Sequence, residues 1–384
     1  METAVIADPE GRLVLGGGGA IAVDVTALGK ELRRLWEETV RAPGVAGGPV
    51  ITRACTRNLI AVASNEVDAG RATRMLAAVA GLHPTRAFVV EASAEGDPAR
   101  LEAHLQAVCS LRGAGRHVCC EQIAMTVGPR ARRRAAGTIV PLLVPDLPVF
   151  VWVLGTPAWE DELLVRLLEV ADRVVVDTRE AADPVGLLGV LDGSARDDRW
   201  SPGDFEWSRL EPWREAVASL FDEPSTAGLP ARIERVVVRY GAGGSRIGAA
   251  LLAGWALDRV QSARDRAETG LAIRAADGDG VGEDAPASAV LEPLPGRPGG
   301  EICGVELHAR VPRARCEVVV ADGELALNAK VDLEDACPLP ARHPWARPAE
   351  ESLLEDQLDV PGAWPVYERA LARAATLLAG VAPD

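Results

Sequence analysis

The sequence predicts an α/β protein: a doubly wound, mainly parallel sheet domain, then an α+β domain with an antiparallel meander. Three observations carry this. From residue 50 to about 191, short apolar runs alternate with segments of helical period, the pattern of βαβ units. The runs VFVWVL (149–154) and VVV (174–176) are apolar throughout, as are central strands covered on both faces. Beyond residue 270 the helical pattern stops, and strand-like segments follow, separated by Gly, Pro and Asp.

In order, residues 1–49 form a helical appendage and linker. Val25, Leu28, Leu32 and Leu35 recur at helical spacing, and Trp36 extends the stripe. Such a helix either packs on its own domain or docks on a partner. APGVAGGP (42–49) breaks any helix and serves as a linker. The α/β domain spans 50–228. Its expected strands are the apolar end of 51–64, then 86–92, 117–127, 149–154 and 172–178. Its expected helices are 69–82, 98–111, 161–171 and 184–191, with Pro98 suited to a first turn, and 131–143 starts as a helix. A tryptophan-rich segment, 199–222, is helical from Pro212. The α+β domain, 229–384, opens with strand 232–240, a Gly-rich turn and helix 245–261. LAIRA, SAVLEPL, EICGVELHAR, ARCEVVVAD and ELALNAKVDL are the meander strands, and Asp322-Gly323 marks a hairpin. A Pro-rich loop at 338–348 and a helix at 366–380 close the chain.

Composition narrows the function classes. The 384 residues suit two domains. No apolar run approaches the roughly 20 residues of a membrane span, so no membrane association is expected. The N-terminus lacks the basic-then-apolar pattern of a signal peptide, so a cytoplasmic location is expected. A formal charge of −15 argues against nucleic acid as partner. Lys30 and Lys330 are the only lysines; a GC-rich genome produces that bias, so arginine abundance by itself carries no weight. Seven cysteines, an odd count with no C-x-x-C pair, argue against a secreted disulfide framework. Buried reduced thiols are the expectation, with a redox switch as the alternative. Cys119 and Cys120, adjacent on a strand, point to opposite faces.

Chemical motifs are few. GAGGSRIG (241–248) sits between a strand and a helix, where a phosphate loop belongs. However, Arg246 stands where G-x-G-x-x-G needs glycine, and no Gly-Lys-Ser/Thr exists, so a flexible turn with Ser245 as N-cap competes with phosphate binding. His83, His104, His117, His308 and His343 are scattered, and no metal set is expected. His117 lies two residues before Cys119 on one strand face, but adjacency alone does not make a catalytic pair. Glu160, Asp161 and Glu162 start a helix, where the dipole favours acids. No catalytic residues and no cofactor are assigned.

Two segments are candidates for binding. RARRR places Arg130, Arg132, Arg133 and Arg134 at a helix start, either as a solvated face or as a site for an acidic partner or a sugar phosphate. Trp200, Trp207 and Trp213 crowd together with Arg209 and Arg214, residue types enriched at binding hot spots. The same tryptophans equally suit an internal stitch between domains.

Four segments in order resemble the OpcA family, the glucose-6-phosphate dehydrogenase assembly proteins. HPTR (His83, Pro84, Thr85, Arg86) is similar to a His-Pro-Ser/Thr-Arg motif between helix and strand. PLLVPDLPVFVW, with Pro145, Asp146 and Pro148, resembles a Pro-Asp-Leu-Pro-Val strand start. DFEWSRLEPWR (204–214) resembles Asp-Leu-x-Trp-x-Arg-Leu-x-x-Trp-Arg, with Phe205 in the usual Leu place. LLAGW, ending in Trp255, matches the start of a C-terminal helix. The resemblance implies a non-catalytic protein that associates with the dehydrogenase and promotes its active oligomer, regulating the oxidative pentose phosphate pathway. It supplies no set of binding residues. Pro84, Pro145 and Pro148 read as fixing the backbone before strands. Arg86 and Asp146 are expected at the sheet edge where doubly wound folds bind ligands. A sugar-phosphate or nucleotide-binding protein, with or without enzymatic activity, is the alternative.

Overall fold

The computed structural model describes residues 5–7, 13–15, 21–41, 50–112, 116–156, 158–274, 286–310, 312–321, 326–334 and 340–379. By internal contacts the chain divides into two units. One is Met1–Glu180, Asp198–Phe205 and Ala349–Gly362; the other is Ala181–Asp197, Glu206–Pro348 and Ala363–Asp384. This differs from the expected 1–49, 50–228 and 229–384: the N-terminal segment joins the first unit, and the chain passes between units several times.

The first unit contains β1 (Val5–Ala7), β2 (Leu13–Leu15), β3 (Ile21–Val23), α1 (Leu28–Arg41), β4 (Val50–Arg53), β5 (Arg57–Ala63), α2 (Glu66–Val79), β6 (Thr85–Glu91), β7 (Leu101–Arg112), β8 (Arg116–Val127), α3 (Arg132–Ile139), β9 (Val149–Leu154), α4 (Glu162–Leu168), β10 (Arg173–Val176), β11 (Ser201–Asp204) and α9 (Glu350–Asp359). Its sheet runs β1-β2-β7-β8-β6-β5-β9-β10-β11, with β3 on β7 and β4 on β8. From β8 to β11 every pair is parallel. Those six strands, numbered along the chain, follow the order 3-2-1-4-5-6 of a Rossmann-type sheet. The order reverses at β5, which pairs β6 on one side and β9 on the other.

Burial on both faces explains the uninterrupted apolar runs. Leu59, Ala61, Phe150 and Trp152 point to one side, against Met75 and Leu76 of α2 and Leu354 and Leu358 of α9. Ile60, Val62, Val151 and Val153 alternate to the other side and are also buried. Leu28, Leu32, Leu35 and Trp36 of α1 are buried, and the last two pack on Ala107, Cys109 and Cys119 within the same unit. The α1 stripe therefore serves its own domain.

One expected helix is a strand. Residues 98–111 carry helix formers, yet Leu101–Arg112 pairs antiparallel with β8 over its whole length. Ala103, Leu105, Ala107 and Cys109 are buried at period two. Pairing with a long neighbour and burial of one face override a weak local preference. Cys109 and Cys119 sit opposite each other in that register and form a disulfide, which corrects the expectation of reduced thiols for this pair. It also removes Cys119 as a nucleophile beside His117. Cys55, Cys120, Cys303 and Cys316 are free; Cys337 lies outside the described residues. Cys120 packs on Ala80 and Val108, on the face opposite Cys119, as strand alternation requires.

The second unit contains α5 (Pro184–Arg196), α7 (Glu211–Ser219), β12 (Ile233–Gly241), α8 (Ile247–Arg274), β13 (Ser288–Leu294), β14 (Ile302–Ala309), β15 (Ala314–Val320), β16 (Ala326–Leu333), β17 (Ala341–Pro344) and α10 (Pro365–Ala379). The short helix α6 (Phe205–Arg209) starts on the last residue of the first unit's middle segment. The second sheet runs β13-β12-β14-β15-β16-β17. Its β14–β16 part is the expected antiparallel meander, and β17 extends it within the segment expected as a Pro-rich loop. Two details differ. SAVLEPL pairs parallel to β12, and LAIRA does not start a strand because α8 runs on to Arg274. The Asp322-Gly323 turn and the 42–49 linker lie outside the described residues.

Candidate partner-binding surface

The arginine run is split by the fold. After β8 the chain turns at Gly128, where a Cβ would overlap the Asp97 and Pro98 carbonyls, and the Arg130 amide donates to Pro98 O at 2.8 Å. This tight turn starts α3. Arg132 points inward and is 6% exposed. Its Nη1 donates to Val127 O at 2.9 Å, and its Nη2 to Ala92 O and Ser93 O at 2.8 and 2.9 Å. Asp161, the N-cap of α4, sits 3.3 Å from its Nε. Burial lowers the Arg132 pKa, and the Asp161 carboxylate opposes that. Arg132 is thus a staple tying the carboxyl ends of β6 and β8 to the start of α4.

Arg130, Arg133 and Arg134 point outward and are exposed. Arg133 approaches Glu162 only at 3.9 Å; the guanidiniums of Arg130 and Arg134 make no hydrogen bond or ion pair among the described residues. The first turn of α3 holds no acid and no side-chain cap. A helix N-terminus carries partial positive charge, so three cations there repel it and one another. On a chain of charge −15, such a cluster is chemically suited to an external anionic surface.

The Trp–Arg segment lies elsewhere and is mostly internal. Trp200, Trp207 and Trp213 are 6%, 1% and 2% exposed. Trp200 stacks on Trp159 within the first unit, centroids 6.5 Å apart. In the second unit, Arg214 lies 3.7 Å over the Trp207 ring and donates to Trp207 O at 2.6 Å. Trp364 and Tyr367 cover other sides of Trp207. Trp213 packs edge-on to Trp345, and Arg209 pairs with buried Glu206 at 3.2 Å. Their aromatic area is used within the chain's own fold.

The family-like motifs also resolve into structure. His83 is buried, 3.7 Å from Asp359. Arg86 stands at the amino end of β6, the edge opposite the one where such folds bind ligands, which corrects its expected place. Its Nε donates to buried Glu121 at 2.5 Å and its Nη1 to Leu142 O at 2.6 Å. Trp36 Nε1 and Arg53 complete the ring of donors around Glu121. Asp146 is likewise at an amino edge, exposed, with φ 62°, a left-handed conformation that Asp tolerates. Pro145 and Pro148 flank it in a loop that sequence reasoning did not connect to Asn58. Asn58 is fully buried; its amide donates to Val144 O and Leu147 O and its Oδ1 accepts from Val144 N. No local signal marks Asn58, because its partners lie 86 to 89 residues away. Trp255 is 8% exposed on α8. Beside it, a Cβ at Gly254 would stand 2.5 Å from Ala370 O, so this glycine lets α8 and α10 touch.

Both helix starts that could cradle a phosphate already face the chain's own carboxylates. At the switch point, Asn65 caps α2 and the first turn carries Glu66 and Asp68. Gly155, φ 73°, brings its backbone against Ser64 Oγ and Asp68 Oδ2. At the Gly-rich turn, Gly241 and Gly244 are in backbone contact with the loop 297–300, which explains why glycine is needed there. Buried Glu206 lies against Gly248 in the first turn of α8. A phosphate at either place meets carboxylate rather than open amides. Among the described residues no group of His, Cys, Asp and Glu is arranged to hold a metal, and no helix is long and apolar enough to cross a membrane.

A Rossmann-type sheet with acid-filled helix starts, joined to a second sheet-and-helix unit, defines an α/β protein that carries a cluster of exposed arginines. Two family models match the chain. One describes the N-terminal domain of a "glucose-6-phosphate dehydrogenase subunit" and covers residues 77–192; the other describes the C-terminal domain of the same family and covers 202–371. The chain belongs to the OpcA family of glucose-6-phosphate dehydrogenase assembly proteins. An OxPP cycle protein OpcA of Synechocystis sp. is 31% identical over 185 residues, 48% of this chain and 38% of that one. Its counterpart in Synechococcus elongatus is 27% identical over 319 residues, 78% of this chain and 69% of that one. The matched stretch thus spans well under half of the Synechocystis relative. Among solved structures, a levoglucosan dehydrogenase with NADH and L-sorbose aligns with TM-score 0.42 and 12% identity, covering 84% of this chain and 96% of that one. A glucose-6-phosphate dehydrogenase with its substrate aligns with TM-score 0.40 and 12% identity, covering 85% and 92%.

Proposed function

We propose that this chain is a non-catalytic partner of glucose-6-phosphate dehydrogenase that docks on it and promotes its active oligomer, so regulating the oxidative pentose phosphate pathway. The observation that carries the docking is the exposed trio Arg130, Arg133 and Arg134 at the uncapped start of α3. Guanidinium groups pair bidentately with carboxylates, so the matching surface is acidic. Activation follows if the chain binds the active oligomer more tightly than the inactive forms, since only differential affinity shifts a population. Trp200, Trp207, Arg209, Trp213 and Arg214 enter this reading as framework rather than contact, and Arg132 as the staple that holds the trio in place.

The test is binding of the Arg130→Glu/Arg133→Glu/Arg134→Glu variant to the dehydrogenase of the same organism. At least a tenfold loss of affinity is expected, along with a weaker dependence on salt than the wild type shows. Equal affinity with an unchanged salt dependence would show that the trio is not the docking site.

The alternative, a sugar-phosphate or nucleotide-binding protein, draws on a pocket of about 460 Å³ beside Gly243–Ile247 in the second unit. Arg246 lines it. Glu206 of α6, packed against Gly248 in the first turn of α8, stands against a phosphate there. A thermal shift with glucose 6-phosphate or NADP, no dehydrogenase present, would favour this alternative.

A further inference from the structure

A second pocket in the same unit has a different chemistry. It holds about 190 Å³ between α7, the start of β12, β14 and α8. Val217, Phe221, Ile233, Trp255, Val260 and Leu307 make its walls. Two charged groups break this apolar lining, Arg259 and Arg266. Trp255, Arg259 and Arg266 are at i, i+4 and i+11 on α8, so they share one helix face. Arg266 is exposed and has no ion-pair or hydrogen-bond partner among the described residues. Arg259 spends one end of its guanidinium on Asp258, and its buried Nε–H has no acceptor.

An apolar cavity of about 150 Å³ is large enough to take benzene, so this one accommodates a single aromatic ring or a short branched chain. An apolar body alone would leave the two guanidiniums unused. A cationic head would meet like charge. We propose that this pocket binds a small aryl- or alkyl-carboxylate, its body between Phe221, Trp255 and Leu307 and its carboxylate at Arg266 and Arg259. The inference does not rest on the arginine trio of α3, which belongs to the other unit, or on the dehydrogenase as partner. Sequence alone hides the site because its walls come from segments as far apart as residues 217 and 307.

The test titrates the full chain with 3-phenylpropionate and follows tryptophan fluorescence and heat, because Trp255 forms part of the wall. Saturable binding is expected, with Kd about 1 mM or tighter, a modest demand for eleven heavy atoms. The amine 3-phenylpropylamine and ring-free propionate should each bind at least tenfold more weakly. Arg266→Glu, at an exposed position that leaves folding intact, should weaken the acid at least fivefold. Ala256→Phe, which fills the pocket, should abolish binding while circular dichroism stays unchanged; if that variant does not fold, the Arg266→Glu result decides. No saturation by 10 times the expected Kd overturns the proposal, as does equal affinity for acid and amine, or an Arg266→Glu variant that binds the acid as the wild type does.

Discussion

Arg132 and Arg134 stand two positions apart in one basic run and do unrelated work. Arg132 satisfies three backbone carbonyls and faces Asp161; the Arg134 guanidinium is exposed and makes no hydrogen bond or ion pair among the described residues. Arg132→Ala should therefore cost roughly 2–4 kcal/mol in urea unfolding, because it orphans buried acceptors and a carboxylate. Arg134→Ala should stay within about 0.5 kcal/mol. Trp207→Ala should cost roughly 3–5 kcal/mol, as expected for a large buried aromatic, and would lower complex formation only through lost folding. An unfolding midpoint unchanged in Trp207→Ala would contradict its place inside the second unit. The run itself was legible in the sequence. Its division was not, because Ala92, Ser93 and Asp161, the partners that draw Arg132 inward, are about 30 to 40 residues away along the chain. Composition likewise exposed the tryptophan cluster, but hot-spot and core tryptophans have the same residue type, and only burial separates them.

Among elements, the parallel strands were the most readable, because burial on two faces writes a continuous apolar run. The 98–111 segment reads as helix because its Leu, Glu, Ala and Gln favour helix, while pairing with β8 is a tertiary effect that no local rule weighs. The α8–α10 pair shows what a single position can hold. Gly254→Val has no room against Ala370 O and should destabilise the second unit by about 1–3 kcal/mol, measured by thermal melting. The same pair is linked by Asp258, buried on α8, which meets Arg259, Arg369 and Arg373. Burial alone would raise the Asp258 pKa; the hydrogen bonds from Arg259 and Arg369 outweigh it and hold the pKa below the usual 3.8. A depressed folded pKa means that its contribution is complete above about pH 4 and is lost as pH falls through the lower folded value. Stability should therefore drop more between pH 5 and 3 in the wild type than in Asp258→Asn, read from urea midpoints; parallel acid limbs would contradict the linkage.

Across the whole molecule, two units of different sheet type share one acidic chain, and carboxylates stand at helix starts of the kind that bind phosphate through open amides. Glu66 and Asp68 meet the dipole of α2, and Glu206 lies at the start of α8. The exposed cations at α3 are the reverse case, and the proposed docking role rests on that contrast. The sequence conveyed the family through four short motifs, all of which the structure explains as scaffolding: Arg86 on Glu121, the Pro145–Pro148 loop on Asn58, Arg214 over Trp207, and Gly254 against α10. The motifs therefore mark a fold better than they mark an interface. The most direct measurement adds the purified chain stepwise to the glucose-6-phosphate dehydrogenase of the same organism while activity and mass by light scattering are recorded together. The account predicts a saturable rise in activity in step with a larger complex, and loss of both with the Arg130→Glu/Arg133→Glu/Arg134→Glu variant. Unchanged activity and mass, with both proteins folded, would contradict it.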